Sequence, residues 1–443
     1  MDVELQILKH LARDAQPTIS FIDKYCAGYS CLFPEVRSYE CFKYLHLGII
    51  SGIKRKSLPE IAKVVGLKSA QALHHFVAKS PWSVSELRER RLSQTLATLK
   101  GNAITVVIDE TGDRKKGKRT DYVARQYLGS IGKVDRGIVS VNAYGIYKNI
   151  TFPLRFKVFK PKGTLKSGDK YQTKIELASE ILKELIEFGF KIDLVLADSL
   201  YGEASSFIRT LDEFKLPWIV AIRSNHGVWM PPHQRVRANK WHRFQRIFSN
   251  QTSQTRYIRE IIFGKRSYRS YWEITLDPET LPANSTVFVM TNLQGNILKS
   301  LGNRYGLRTW VEYAFRQDKQ ELGWTDYRFT NFPEIEKWWE IIFSVYLMIS
   351  LNSPAFLSLN LNQSCPTETE IQPTPVDFSS HQQWNFQTGW KNVLNNLRLI
   401  IQPTLALSLI FPWLDVFPNH NLLLGFHELI HAMNQFQPFF PDG

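Results

Sequence analysis

Ile104-Thr-Val-Val-Ile-Asp109 and, further along, Ile192-Asp-Leu-Val-Leu-Ala-Asp198 each set a short, largely apolar and branched run against a closing aspartate. Runs of this length without helical spacing read as strands buried on both faces, and such strands belong to a sheet covered by helices on both sides. Working outward, Arg136–Tyr147 and Thr151–Phe159 read as further strands, and Tyr171–Phe188 as a strongly periodic helix. A second helix is expected over Glu203–Phe214 and a short buried strand over Trp218–Ile222. The order of three or four strands, then helix, strand, helix, strand, predicts an α/β fold with a mixed sheet flanked by helices.

This core of residues 101–224 is followed by a basic, Trp- and Arg-rich stretch and three strands, near Tyr257–Phe263, Tyr268–Leu276 and Thr286–Thr291. We read residues 225–295 as an inserted β module. Residues 296–352 return to the core with a long helix over Ile297–Leu322 and another over Ile335–Leu351, then a Pro-, Ser-, Thr- and Gln-rich linker at 353–387 and a helical segment at 388–443. Residues 1–100 read as a helical DNA-binding domain. Within it Leu58–Gly66, with Pro in the first turn and Gly at the end, precedes a second helix from Ser69 to about Ala78, the outline of a helix-turn-helix. Gln71 and His75, four residues apart, would face a major groove, although a plain helical hairpin has the same signature.

The 443 residues carry 55 Lys and Arg against 41 Asp and Glu, a net charge of +14 that favours an anionic partner such as nucleic acid. A hydrophobic share of 44% excludes a mostly disordered or fibrous chain. Cys26, Cys31, Cys41 and Cys365 form neither a disulfide framework nor a paired metal motif, and the opening Met-Asp-Val-Glu-Leu-Gln lacks the features of a signal peptide. The longest apolar run, Trp338–Leu351, contains Glu340 and falls short of the roughly 20 residues of a bilayer span, so we expect a buried helix and no membrane partner.

Asp109 and Asp198 end neighbouring strands, where side chains point into the ligand crevice of open α/β sheets. Aspartate also starts turns and caps helices, so neither is decisive alone. On the helix after the β module, Tyr305, Arg308, Glu312 and Lys319 are spaced by three, four and seven residues and fall on one narrow stripe, beside an apolar seam of Leu307, Val311, Phe315 and Leu322. That stripe supplies a third carboxylate next to two cations. Three converging carboxylates raise one another's pKa, and a divalent cation removes the conflict. Such oxygen-rich sites suit Mg²⁺ or Mn²⁺, and two ions about 3.5–4 Å apart clamp both oxygens of an in-line phosphodiester displacement. Arg114, Lys115 and Lys116, just after the first acid, would hold the phosphate backbone. Glu110 should point to the opposite face from Asp109, Asp113 falls in a turn, and Asp193 begins its strand, so these acids read as supporting.

With these residues assembled, the sequence resembles the DDE transposases of bacterial insertion sequences. The subgroup signature Tyr-x2-Arg-x3-Glu-x6-Lys is met in full at Tyr305, Arg308, Glu312 and Lys319, the first acid lies in Ile108-Asp-Glu-Thr-Gly-Asp-Arg-Lys-Lys-Gly117, and the second in Leu196-Ala-Asp-Ser-Leu-Tyr-Gly-Glu203. The resemblance spans about 100–352. It implies an RNase H-like core in which Asp109, Asp198 and Glu312 hold two Mg²⁺ or Mn²⁺ ions while the enzyme cuts the terminal inverted repeats of its element and the freed 3′-hydroxyl attacks target DNA. It further implies that Tyr305, Arg308 and Lys319 contact phosphates, that a homodimer works on paired ends, and that the protein acts on the nucleoid in a bacterial cytoplasm. Ser199-Leu200-Tyr201 stands where relatives often have Arg-Glu-Tyr, a departure bearing on strand-end chemistry rather than on the metal site.

Two rival readings differ in class. His427-Glu-Leu-Ile-His431 matches the zinc-protease pattern, but Asn434 and Gln437 stand where the metzincin continuation needs Gly and His, and only Asp442 follows as a possible ligand; Leu422–Leu424, Phe426 and Ile430 suggest a packing helix. A non-catalytic DNA-binding protein, a repressor or inactive relic, fits the charge and the helix-turn-helix but gives no reason for three acids on two strand ends and one helix.

Overall fold

The computed structural model describes residues 13–353 and 376–436, apart from 118, 149, 229, 231, 249–251, 266–267 and 388. Two compact units are present, one of residues 99–316 and the other joining 1–98 to 317–443.

In the 99–316 unit, β1 (Ile104–Arg114), β2 (Ala124–Leu128), β3 (Lys133–Tyr147), β4 (Ile150–Phe159), β5 (Ile192–Ala197) and β6 (Trp218–Ile222) make one half of an 11-stranded mixed sheet. β7 (Val236–Ala238), β8 (His242–Ile247), β9 (Ser253–Phe263), β10 (Ser270–Thr275) and β11 (Val287–Thr291) make the other. The order is β2-β3-β1-β5-β6-β11-β10-β9-β7, with β4 also on β3 and β8 on β9. β1, β5 and β6 run parallel, and their residues Val106–Ile108, Val195–Ala197 and Trp218–Val220 are fully buried. α6 (Lys174–Glu187) is capped reciprocally by Thr173 and Glu176 and buries Leu177, Ile181, Leu182 and Leu185, and α8 (Ser205–Glu213) buries Phe207, Ile208 and Leu211. Residues 225–295 add their strands to the same sheet. β2, β7 and β8 were not expected, because Val236–Ala238 is wholly exposed and β8 hides only part of one face.

β1 continues through Asp109 to Arg114 and pairs with β3 as far as Gly137, so Asp113 lies in the strand, buried against Lys115, rather than in a turn. The single helix expected over Ile297–Leu322 is broken. α9 (Leu298–Gly306) and α10 (Thr309–Arg316) are joined by bonds from Arg308 N to Tyr305 O and from Trp310 N to Leu307 O, the i to i+3 pattern of a tightened turn, and a π-turn at Gln317–Glu321 follows.

The second unit gathers α1 (Ser20–Ala27), α2 (Val36–Ile50), α3 (Leu58–Val64), α4 (Gln71–Ala78), α5 (Val84–Leu99, its last residue in the other unit), α11 (Phe332–Leu351), α12 (Trp390–Val416) and α13 (His420–Met433). α11 is the expected buried helix, and Arg88 and Arg91 of α5 meet its Glu340. α12 is long and apolar enough to cross a membrane by composition, but Val393, Leu394, Leu397, Ile400 and Ile401 pack its first half into the unit. Residues 354–375 of the expected linker lie outside the described residues. Its end is anchored, with Trp384 buried and Phe378 against Phe436. α13 exposes Leu422, Leu424 and Leu429 and leaves Leu423, Phe426 and Ile430 half-buried, so the packing expected around the His-Glu-x-x-His match is only partial.

Candidate active site

The last residue pair of the parallel β1–β5 ladder is Ile108 with Ala197. Asp109 and Asp198 are therefore the next residue on each strand, side by side where β5 stops and β1 runs on. Asp198 leaves the sheet at once: its Oδ1 accepts from Leu200 N (2.9 Å) and caps the short helix α7 (Ser199–Gly202). α7 lies so close to β6 that a Cβ at Gly202 would sit 1.9 Å from Ala221 O, which only glycine allows. Asp109 stays in the sheet, its side chain 13% exposed, with Oδ1 accepting from Glu110 N (2.8 Å).

Arg308, at the break between α9 and α10, joins the two acids of its neighbourhood. Its Nη1 lies 3.2 Å from Asp109 Oδ2 and its Nη2 2.8 Å from Glu312 Oε1. Burial disfavours the Arg308 cation, but Tyr305, Asp109, Glu312 and Asp198 outweigh it and raise its pKa. Burial likewise raises the Tyr305 hydroxyl, with Arg308 opposing. For Asp109, burial comes first and the negative charge of Asp198 adds to it; with Arg308 only partly offsetting them, the carboxyl is pushed up to about 7. The site thus holds under-compensated negative charge on hard oxygen donors, which suits a divalent cation. Asp109 and Asp198 fit that role as they stand. Glu312, half exposed, is turned onto Arg308, and among the described residues no three acidic, His or Cys groups lie together as a metal cluster.

Glu110 does face away, as expected, onto Lys174 Nζ (2.8 Å) and Tyr201 Oη (3.1 Å). Tyr201 is fully buried, and burial, then Glu110, Asp109 and Asp198, hold its hydroxyl well above the usual range. Sequence reading missed both partners of Glu110, although Tyr201 sits in the motif after the second acid. Asp193 accepts from Thr105 Oγ1 at the far end of β1. Of the basic residues after the first acid, Arg114 is paired with Asp135 and Lys115 with Asp113, while Lys116 is exposed. Lys319, on the π-turn, belongs to the other unit, and so do Gln71 and His75, which are exposed on α4 over a buried face of Leu73, Phe76 and Val77. Ser69 supports that helix through Gln71 N, with Ala70 at the cap position. His427, Glu428 and His431 are exposed.

Asp109 and Asp198 thus stand beside each other at adjacent strands, and Arg308 links Asp109 to Glu312 on a later helix. The family model described as DDE superfamily endonuclease matches residues 31–252, 222 of the chain's 443, and that described as Transposase DDE domain matches residues 164–348. The chain belongs to the DDE transposase superfamily, and its mixed sheet flanked by helices is consistent with the RNase H-like core of that family. It is 55% identical over 325 residues to the probable transposase for insertion sequence element IS701 of Microchaete diplosiphon, covering 73% of this chain and 86% of that protein.

Proposed function

We propose that the protein is the transposase of an insertion sequence, cutting the terminal inverted repeats of its element and joining the freed ends to target DNA. The observation that carries this reading is the pair Asp109 and Asp198, each one residue beyond the Ile108–Ala197 pair, with Arg308 linking Asp109 to Glu312. Asp109, Asp198 and Glu312 would hold two Mg²⁺ or Mn²⁺ ions, which would supply charge stabilisation to the oxygens of the cleaved phosphodiester. Tyr305, Arg308 and Lys319 would contact phosphates near the cut, with Arg308 exchanging a carboxylate for a phosphate oxygen, the other partner its planar fork suits. Arg114, Lys115 and Lys116 would add backbone contacts. Work on two ends at once calls for two copies of this site, hence a homodimer, acting on the nucleoid in the cytoplasm.

The direct test is strand nicking of a duplex carrying the element's end, with and without Mg²⁺ or Mn²⁺. Metal-dependent nicking is expected, and end binding without nicking would instead favour a non-catalytic DNA-binding protein. A metal-bound phosphodiester site reads no bases, so discrimination of the ends falls to α4. Gln71→Ala and His75→Ala should each lower affinity for end DNA over scrambled DNA, by about 1–3 kcal/mol for a contact to a base edge, in a competition binding assay. Lys319→Ala should weaken binding to every sequence alike, and the slope of log affinity against log salt should fall by about one.

A further inference from the structure

We infer that Arg246, on β8 of the inserted β segment, is a positioning residue for the reaction: it locks the tightened turn that presents Arg308 and Glu312 to Asp109. The inference rests on the active-site reading above.

β8 is seated on α9 by matched periods. Phe244 and Arg246 share one face of the strand, about 6.7 Å apart along it, and Gly302 and Gly306 share one face of the helix, about 6 Å apart along its axis. A Cβ at Gly302 would meet the Phe244 ring at 2.4 Å, and one at Gly306 would lie 3.4 Å from Arg246 Nε, so each side chain lies over a glycine. Asn303 ties the strand down from both sides: its Oδ1 accepts from Ile247 N (3.0 Å) and its Nδ2 donates to Gln245 O (2.9 Å).

At the break, Trp310 N bonds to Leu307 O, so Gly306 O loses the i to i+4 donor a continuous helix would give it. Thr309 Oγ1 replaces that donor at 2.9 Å, and Arg246 Nη2 donates to Thr309 Oγ1 at 3.1 Å, lying also 3.5 Å from Gly306 O. The guanidinium rests 5.0 Å from the Phe248 ring centre, and its buried Nε has no acceptor among the described residues. Among the described residues no carboxylate is within ion-pair distance of Arg246, which distinguishes it from Arg308 one turn away. A partly buried cation that spends its donor on a turn, rather than on an acid, is placed to hold that turn.

The test compares single-turnover nicking of end-bearing duplex in Mg²⁺ by Arg246→Ala, Arg246→Lys and Thr309→Val, with thermal melting and the salt dependence of end binding measured alongside. Misplacing catalytic groups by about 1 Å costs up to about 100-fold. Arg246→Ala should accordingly slow nicking about 30- to 100-fold with the salt slope unchanged. Arg246→Lys should be no faster, because an ammonium cannot reproduce the fork. Thr309→Val should also slow nicking, and in the double variant the two losses should not add. Should Arg246→Ala lower the melting temperature, Thr309→Val decides. Near-normal nicking, rescue by Lys, or a salt slope reduced by about one would each overturn the positioning role, the last in favour of a direct phosphate contact. An Asp109→Asn control separates the two levels: if it nicks normally the active-site reading fails, whereas an inactive Asp109→Asn beside a normal Arg246→Ala sinks only this inference.

Discussion

Asp109→Asn is expected to reduce end cleavage by about 1000-fold or more while leaving affinity for end DNA at or slightly above that of the unaltered protein. On the proposed reading Asp109 is a metal ligand; it stands beside Asp198 and is held by Arg308, and burial, with Asp198 adding to it, pushes its carboxyl up to about 7. The amide keeps the shape and can still accept from Arg308 through its oxygen, but it loses the negative charge that the proposed divalent ion would need. About 4 kcal/mol of lost transition-state stabilisation corresponds to about 1000-fold in rate. Binding is expected to move the other way, because on the proposed reading the site faces phosphate and removing a negative charge there relieves repulsion. Asp198→Asn and Glu312→Gln should behave alike in cleavage, measured as single-turnover nicking over a series of Mg²⁺ concentrations. Near-normal nicking by any of the three would remove that residue from the metal-binding set.

Most of the sheet was legible because its inner strands are buried on both faces and announce themselves as apolar runs: Ile192–Ala197 and Trp218–Ile222 were read to the residue. The extent of β1 was not, since Thr111, Gly112 and Asp113 carry no apolar signal and are strand only because β3 supplies partners through Gly137. The stripe of Tyr305, Arg308 and Glu312 was visible as helical spacing, but the break within it was not. Helical period is insensitive to a local change from i+4 to i+3 bonding, and what holds this break, Arg246, comes from a strand some 60 residues earlier whose alternation is too short to read. Arg308 read as a phosphate ligand from the signature. Its bonds to Asp109 and Glu312 follow from the sheet and the turn together, which no window of sequence contains.

The second large effect is expected on stability, at Glu340. Glu340→Ala should destabilise the unit formed by 1–98 and 317–443 by about 3–5 kcal/mol, the usual cost of stranding a buried partner, and should lower the first melting transition by roughly 10 °C. The carboxylate is wholly buried, 2.6 Å from Arg91 Nε and 3.0 Å from Arg88 Nε, and Arg88 reaches on to Glu336 at 2.7 Å. Burial would neutralise Glu340, but Arg91 and Arg88 outweigh it and hold its pKa below the usual carboxylate range. Alanine would remove the carboxylate that faces Arg91, which is itself without exposure and rests against the Phe343 ring. Replacing Glu340, Arg88 and Arg91 together by methionine should restore much of the loss, because the penalty lies in keeping buried cations without the Glu340 carboxylate rather than in the missing attraction. If Glu340→Ala melted like the unaltered protein, the ion network would not be what joins α5 to α11. The same network decides how end recognition can be tested. Residues 1–98 share their core with 317–443, so a fragment beginning near Gly101 would expose α11 and lose Glu340's partners, and its failure to bind would report unfolding. Point changes on the exposed face of α4 leave that core intact, which makes Gln71 and His75 the informative positions for separating sequence reading from structural support.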